Sequence, residues 1–78
     1  MQLTLKDLLP GEKGRVISIG SAGPVRRRLV DMGITPGTVI LLRKLAPLGD
    51  PMEVNLRGYE LSLRKNEAEQ VIIEKIEG

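Results

Sequence analysis

The chain contains no cysteine and no histidine. Without cysteine it can form no disulfide, no thiolate metal site and no cysteine nucleophile. Without histidine it lacks the usual general base at neutral pH, a common nitrogen ligand of transition metals, and every catalytic triad built on that residue. An enzyme would have to work with carboxylates, lysines or hydroxyls alone, so we predict a non-enzymatic protein with no catalytic residues.

Aromatic side chains and long apolar runs are also scarce. Tyr59 is the only aromatic residue, whereas binders of single-stranded nucleic acid and of proline-rich peptides depend on aromatic platforms or grooves. No apolar run is long enough to span a membrane. Lys6 and Asp7 interrupt the leucines near the N-terminus, unlike a secretory signal. We therefore expect a cytoplasmic, soluble protein that does not insert into a membrane.

The size and charge of the chain limit its organisation. A chain of 78 residues can build one small core, which predicts a single domain over residues 1–78. It carries 12 basic and 10 acidic side chains, a net charge of +2. Acidic residues are interspersed with basic ones outside the triplet Arg26-Arg27-Arg28, so no broad surface for a polyanion is indicated.

The most informative segment encodes a helix, a turn and the start of a strand. Pro24 suits the first position of a helix capped by Gly23, and Gly33 can end that helix in a left-handed conformation. The apolar face of the helix would be formed by Val25, Leu29 and Met32. Pro36-Gly37 is then a turn placed just before an apolar, β-branched strand.

The triplet Arg26, Arg27 and Arg28 has two interpretations. Exposed cations near a helix N-terminus oppose its macrodipole by about 0.3–1 kcal/mol each, which suggests that another requirement places them here. Arginine is nonetheless a good helix former, and Asp31 can offset Arg27 and Arg28. The triplet is either a solvated helix face or a surface that meets an acidic partner. We carry the second interpretation forward as a predicted partner-binding site.

Most other segments alternate apolar and polar residues as strands do. Predicted strands cover residues 14–19, 38–44, 52–57, 60–64 and 71–76, with helical turns at 5–8 and 66–69. In the first strand, Ile17 and Ile19 share one face and Val16 takes the other. The whole pattern is typical of a mostly β fold, a small antiparallel barrel of about five strands with a short helix after the first strand.

A hairpin is predicted where only Gly58-Tyr59 separates two alternating segments. Glycine at the first turn position suits a type II′ turn. This register pairs Arg57 with Glu60 and Glu53 with Arg64, so that opposite charges face each other on the solvent side. The leucines and Val54 then lie together on the inner face.

The segment 45–51 is a second candidate contact. Prolines at 47 and 51 predict a loop that exposes Leu45 and Leu48. With Met52 beside them, these side chains form a predicted partner-binding group, because apolar groups on a proline-stiffened loop lose little entropy when a partner buries them. The alternative is that Leu48 or Met52 closes the open end of the barrel.

Three segments carry a resemblance to a known family: residues 8–16, 28–38 and 56–64. The middle one is the most specific, because Arg28-Leu29, Met32-Gly33 and Pro36-Gly37 combine a helix face, its glycine stop and the next turn. With these motifs the chain resembles the FeoA family of bacterial ferrous iron uptake. It is also similar to the C-terminal SH3-like domain of DtxR-type metal regulators.

The resemblance implies an SH3-like barrel that binds the cytosolic portion of FeoB, the bacterial membrane iron permease with a GTP-binding domain. Such a protein regulates or assists transport without transporting iron itself, and no cofactor is implied. The lack of a helix-turn-helix region favours a stand-alone accessory protein over a regulator fragment. Self-association is left open. A single arginine acting in trans on GTP bound to FeoB is a weaker version of the triplet hypothesis.

Two other functions are kept as alternatives. A small basic barrel could bind double-stranded nucleic acid through the triplet with Arg15 and Arg43, although no strong signal supports this. A weak metal-sensing module would need carboxylates, of which the candidates are Asp31, Glu53, Glu60 and Glu74. The predicted hairpin pairs two of these with arginines, and no cluster has metal-ligand spacing, so we predict no strong metal site.

Overall fold

The computed structural model describes residues 3–77. In this part of the chain, strands and helices follow in the order β1 Leu3–Thr4, β2 Lys13–Ile19, α1 Pro24–Asp31, β3 Val39–Leu45, β4 Met52–Leu56, β5 Tyr59–Leu63, α2 Lys65–Ala68 and β6 Val71–Ile76, with 3₁₀ turns at Leu5–Asp7 and Pro47–Gly49. The strands form one six-stranded antiparallel sheet in the order β1-β6-β2-β3-β4-β5. The predicted mostly β, antiparallel fold is confirmed, and β1 is a short strand beyond the predicted five.

One aliphatic core holds the sheet together. Each strand from β2 to β6 contributes buried side chains, joined by Leu5 and Leu8 from the N-terminal segment, by Leu29 of α1 and by Ile34. Full burial of a leucine or isoleucine side chain contributes about 1.5–3 kcal/mol. Because aromatic residues are absent from this core, branched aliphatic side chains and Met52 fill it.

Helix α1 begins and ends where the sequence predicts. Gly23 precedes Pro24, and Gly33 follows the helix with φ of +91°. Leu29 is fully buried and Met32 is half-buried, whereas Val25 is exposed, so the predicted apolar face is wrong at that position. A Cβ added at Gly33 would lie 2.6 Å from the Tyr59 hydroxyl, so glycine is required there by contact as well as by conformation.

A β-bulge changes the faces of β2. The pairing of β2 with β6 shifts between Val16 and Ser18. The extra residue lets Val16 and Ile19 both point into the core, while Ile17 is 51% exposed. The prediction that Ile17 and Ile19 share the inner face is therefore wrong, because a bulge breaks the simple alternation on which it was based.

The β4–β5 hairpin turns one residue earlier than predicted. Arg57 and Gly58 form the turn, with φ of +50° and +85°, the left-handed pair that a type I′ turn requires. Val54 faces Leu61 and Asn55 faces Glu60. The predicted register is therefore displaced by two residues. The inner and outer faces survive because a displacement of two preserves the alternation.

Arg57, whose backbone is left-handed in the turn, makes a tertiary contact through its side chain. Its guanidinium donates hydrogen bonds to the hydroxyls of Thr35 and Thr38, at 3.4 and 3.3 Å. Glu60, the predicted partner of Arg57, and Glu53, the predicted partner of Arg64, pair instead with basic residues of β3. Glu60 lies 3.7 Å from Arg43, and Glu53 lies 3.6 Å from Lys44. Both acidic residues of the hairpin therefore have basic partners as expected, but the partners lie on β3 and not within the hairpin.

An ion pair joins the turn before β2 to β6. The Glu12 carboxylate accepts a hydrogen bond from the Leu9 N–H at 2.8 Å and pairs with the Lys75 ammonium. The hydrogen bond from Lys75, followed by that from the Leu9 N–H, lowers the pKa of Glu12 below its ordinary 4.5. In turn, the hydrogen bond with the Glu12 carboxylate raises the pKa of Lys75 above its ordinary 10.5.

We expect Gly33→Ala to destabilise the protein more than Gly37→Ala. Both glycines have φ above +90°, which costs alanine roughly 1–2 kcal/mol, but only the Cβ at Gly33 meets another atom. Displacing the Tyr59 hydroxyl should add about 1 kcal/mol. Urea unfolding measures both values. In a Tyr59→Phe background the two alanines should cost the same, and equal costs in the native background would contradict the steric explanation.

The Glu12–Lys75 pair makes stability depend on pH in acid. Because the pKa of Glu12 is lower in the folded protein than its ordinary 4.5, its contribution is present above that value and is lost as the pH falls through the folded pKa. The difference in unfolding free energy between the native protein and Glu12→Gln should therefore shrink below the ordinary pKa. Urea titrations from neutral to acid pH measure it. In Lys75→Met the pH dependence should be weaker, and an unchanged dependence would show that the pair does not cause it.

Candidate partner-binding surface

The predicted partner-binding residues occupy two parts of the fold. Arg26, Arg27 and Arg28 lie on α1, and Leu45 and Leu48 lie at the end of β3 and in the following 3₁₀ turn. Met52, the first residue of β4, is 1% exposed and belongs to the core. The prediction that Met52 contacts a partner is therefore corrected. Its burial fits the alternative in which this side chain closes one end of the barrel.

Leu48 is the most exposed large apolar side chain among residues 3–77, at 99%. Its backbone is left-handed, with φ of 71°, a conformation that costs a leucine roughly 1–2 kcal/mol. Leu45 is partly exposed beside it. Strained backbone residues are concentrated at functional sites. The fold holds Leu48 in this conformation and leaves its side chain in water, available for contact with a partner.

The three arginines of α1 differ in their surroundings. Arg28 Nε lies 2.7 Å from Glu67 Oε2, a carboxylate that is only 9% exposed. Arg26 donates a hydrogen bond to the Ile19 carbonyl at 3.5 Å. Arg27 has no carboxylate at ion-pair distance within residues 3–77, and the predicted offset by Asp31 forms no ion pair there either. All three arginines are exposed, and within residues 3–77 only Arg28 forms an ion pair.

Two open grooves run beside Arg27. The larger has a volume of about 630 Å³ and is lined by Gly23, Pro24, Arg27, Arg28, Asp31 and Met32. The smaller, of about 330 Å³, is lined by Gly23, Arg26, Arg27, Val30 and Asp31. Arg27 lines both grooves, as do Gly23 and Asp31, and it is exposed and therefore accessible to a partner.

Helix α2 connects the two regions. Glu67 accepts the Arg64 N–H at 2.9 Å through Oε1, while its other oxygen contacts Arg28. The Lys65 N–H, at the start of the helix, donates to Asp50 Oδ1 at 3.0 Å. The sequence analysis predicted a helical turn at 66–69 and assigned no contact to either carboxylate. The spacing of Glu67 three residues after Arg64, typical of a capping arrangement, is the signal that could have identified Glu67.

Carboxylates are not gathered for metal binding in the described part of the chain. Residues 3–77 contain no group of three or more acidic side chains placed to hold one ion. Glu53 and Glu60, two of the candidates, are engaged by Lys44 and Arg43. Over the same residues, no helix has the length and apolar character needed to cross a bilayer.

Comparison with known protein families identifies close similarity over most of the chain. The FeoA domain model matches residues 3–75. The chain is also 30% identical, over 74 residues, to a fusion of Fe(2+) transport protein A with the Fe(2+) transporter FeoB from Porphyromonas gingivalis. That match covers 95% of this chain, which spans 9% of the length of the fusion protein.

Solved structures agree with the family match. The FeoA-like protein of Clostridium acetobutylicum is 42% identical, with a TM-score of 0.91 over 99% of this chain and 90% of its own. The zinc complex of Stenotrophomonas maltophilia FeoA, described as a prokaryotic SH3 domain protein, is 25% identical, with a TM-score of 0.81 over 92% of this chain and 89% of its own.

A more distant structure shares the fold alone. A manganese-dependent transcriptional repressor is 18% identical, with a TM-score of 0.86 over 96% of this chain and 37% of its own. The SH3-like fold and the resemblance to metal-dependent regulators are therefore confirmed. Because the family model spans nearly all of the described residues, the chain belongs to the FeoA domain family, which is associated with Fe(2+) transport.

Proposed function

We propose that this protein is a non-enzymatic accessory protein of bacterial ferrous iron uptake. It acts in the cytoplasm by binding the GTP-binding region of a FeoB permease. The observation that supports this proposal is the Porphyromonas gingivalis relative, in which a domain similar to this chain is covalently joined to FeoB. Fusion makes the association of two domains intramolecular and raises their effective concentration, as expected for domains that work in contact.

The surface chemistry supports binding through α1 and the Leu48 turn. Arg26 and Arg27 present positive charge, which suits an acidic patch on a partner and speeds association with it. Leu48, with Leu45 beside it, offers an exposed apolar group that a partner can cover. Specific protein interfaces combine an apolar core with a polar rim and are enriched in arginine.

The nucleic-acid alternative gains less support from the structure. Arg43 pairs with Glu60 and Arg28 with Glu67, so two of the arginines proposed for phosphate contacts already face carboxylates. A phosphate-binding surface depends on basic groups that can release counterions from the nucleic acid. We therefore keep protein binding as the proposed function.

The purified protein should bind the cytosolic region of its FeoB, measured by calorimetry with GTP analogue, with GDP and without nucleotide. Arg27→Glu and Leu48→Asp should each weaken binding about tenfold, because they reverse a contact charge or place a charge in an apolar contact. Arg15→Glu provides a matched charge reversal on β2 and should change affinity little. Each variant should keep its melting temperature.

The salt dependence provides a second criterion. Binding by the native protein should weaken as ionic strength rises, because exposed charges are screened. Absence of binding in every nucleotide state, with both partners folded, would reject the proposed function. Unchanged affinity in Arg27→Glu would remove that residue from the interface.

A further inference from the structure

Two regions that are separate in sequence are joined by a chain of polar contacts. Arg28 contacts Glu67 at 2.7 Å, and the N–H of Lys65 contacts Asp50 at 3.0 Å. Leu48 lies two residues before Asp50. Helix α2 has only four residues, about 6 Å of helix, so α1 and the Leu48 turn flank a very short element.

Glu67 holds two elements at once. Its carboxylate is 9% exposed, and each oxygen has one partner, the guanidinium of Arg28 and the N–H of Arg64. Burial of a charged carboxylate is unfavourable unless hydrogen bonds and an opposite charge compensate for it. The contact with Arg28 therefore ties α1 to α2, while the contact with the Arg64 N–H fixes the Glu67 carboxylate at the start of α2.

Asp50 has the same role at the other side of α2. Its carboxylate accepts the first free N–H of the helix, a favourable position for a negative group. Because Asp50 follows the 3₁₀ turn directly, this bond ties the turn that carries Leu48 to α2. The exposed leucine is therefore presented at a defined position beside the helix.

The charges left on this side of the molecule are mainly basic. Arg64 and Lys65 are exposed and, within residues 3–77, make no ion pair, as is also true of Arg27. The carboxylates of Glu67 and Asp50 are engaged by internal bonds. Asp31 is the exposed acidic residue on α1. A basic stretch with an exposed leucine at one end is complementary to an acidic surface with an apolar recess.

We propose that α1, α2 and the Leu48 turn form one continuous docking surface for an acidic protein surface. Arg64 and Lys65 are contact residues of this surface, and Glu67 and Asp50 are positioning residues that keep its two ends aligned. The proposal rests on the proposed function, since the acidic surface is that of the permease's cytosolic region. It adds α2, whose residues were assigned no role from the sequence.

The contact residues are tested by a charge-matched comparison. Arg64→Glu/Lys65→Glu should weaken binding to the cytosolic region of FeoB about tenfold or more and reduce its salt dependence. Lys13→Glu/Arg15→Glu makes the same change in net charge on β2 and should have less than a threefold effect. A glutamate at position 65 suits a helix N-terminus, so the first variant should fold. Equal effects of the two variants would overturn the proposal.

The positioning residues are tested by measuring, in each variant, both the affinity for FeoB and the dependence of that affinity on salt. Glu67→Gln and Asp50→Asn keep side-chain size but weaken the acceptors, and each should lower affinity three- to tenfold. Because each also removes one negative charge, the salt dependence should not fall as it does in Arg64→Glu/Lys65→Glu. Melting temperatures are measured in parallel. A fall in melting temperature with unchanged affinity of the folded protein would show that these residues serve stability alone and would overturn their positioning role.

The outcomes separate this inference from the proposed function. If the native protein fails to bind FeoB in any nucleotide state, the proposed function itself fails. If it binds, and Leu48→Asp weakens binding while Arg64→Glu/Lys65→Glu does not, the accessory function stands and the continuous surface is rejected. Light scattering of the native protein and of the Arg64/Lys65 variant tests another occupant. A dimer that the variant dissociates would assign the surface to a second copy of the chain.

Discussion

Helix α1 depends on contacts at its ends, because only one of its side chains, Leu29, is fully buried. An eight-residue helix is too short to be stable alone. At its C-terminal end the Tyr59 hydroxyl donates to the Met32 carbonyl at 2.6 Å, and along its length Arg28 reaches Glu67. The single aromatic residue of the chain, Tyr59, therefore lies outside the core and fixes the end of α1 through a hydrogen bond. The surface proposed for partner binding exists only while these contacts hold the helix in place.

The same contacts organise the molecule around two carboxylates. Glu67 is buried against Arg28, and the exposed Asp50 accepts the Lys65 N–H, whereas the side chains of Arg27, Arg64 and Lys65 are exposed and, within residues 3–77, make no ion pair. Because these carboxylates are engaged while the basic side chains are exposed, a chain of low net charge has a locally basic surface. Local charge of this kind, rather than net charge, decides which partner surfaces are attracted.

Much of the fold could be predicted because its determinants are local. Gly23-Pro24 and Gly33 set the ends of α1, and the β-branched run at 71–76 forms β6 over the predicted residues. The faces of the hairpin were also predicted correctly, since alternation is a property of each strand alone. The candidate site was predicted less well. Met52 is buried, and the carboxylate contacts that join α2 to Arg28 and to Asp50 were missed.

The sequence by itself determined where α1 begins and ends, which side chains alternate along β4 and β5, and that an exposed leucine would stand on the 45–51 loop. Only the tertiary structure decided the hairpin register, the outward turn of Ile17 and the pairing of Arg28 with Glu67. The physical reason is the range of the forces involved. Capping, glycine conformation and alternation act within a few residues, whereas these three features depend on contacts between distant segments whose alternatives differ little in local energy. Arg57 has the left-handed backbone of the type I′ turn, and its guanidinium reaches Thr35 and Thr38, contacts that nothing near it in sequence predicts.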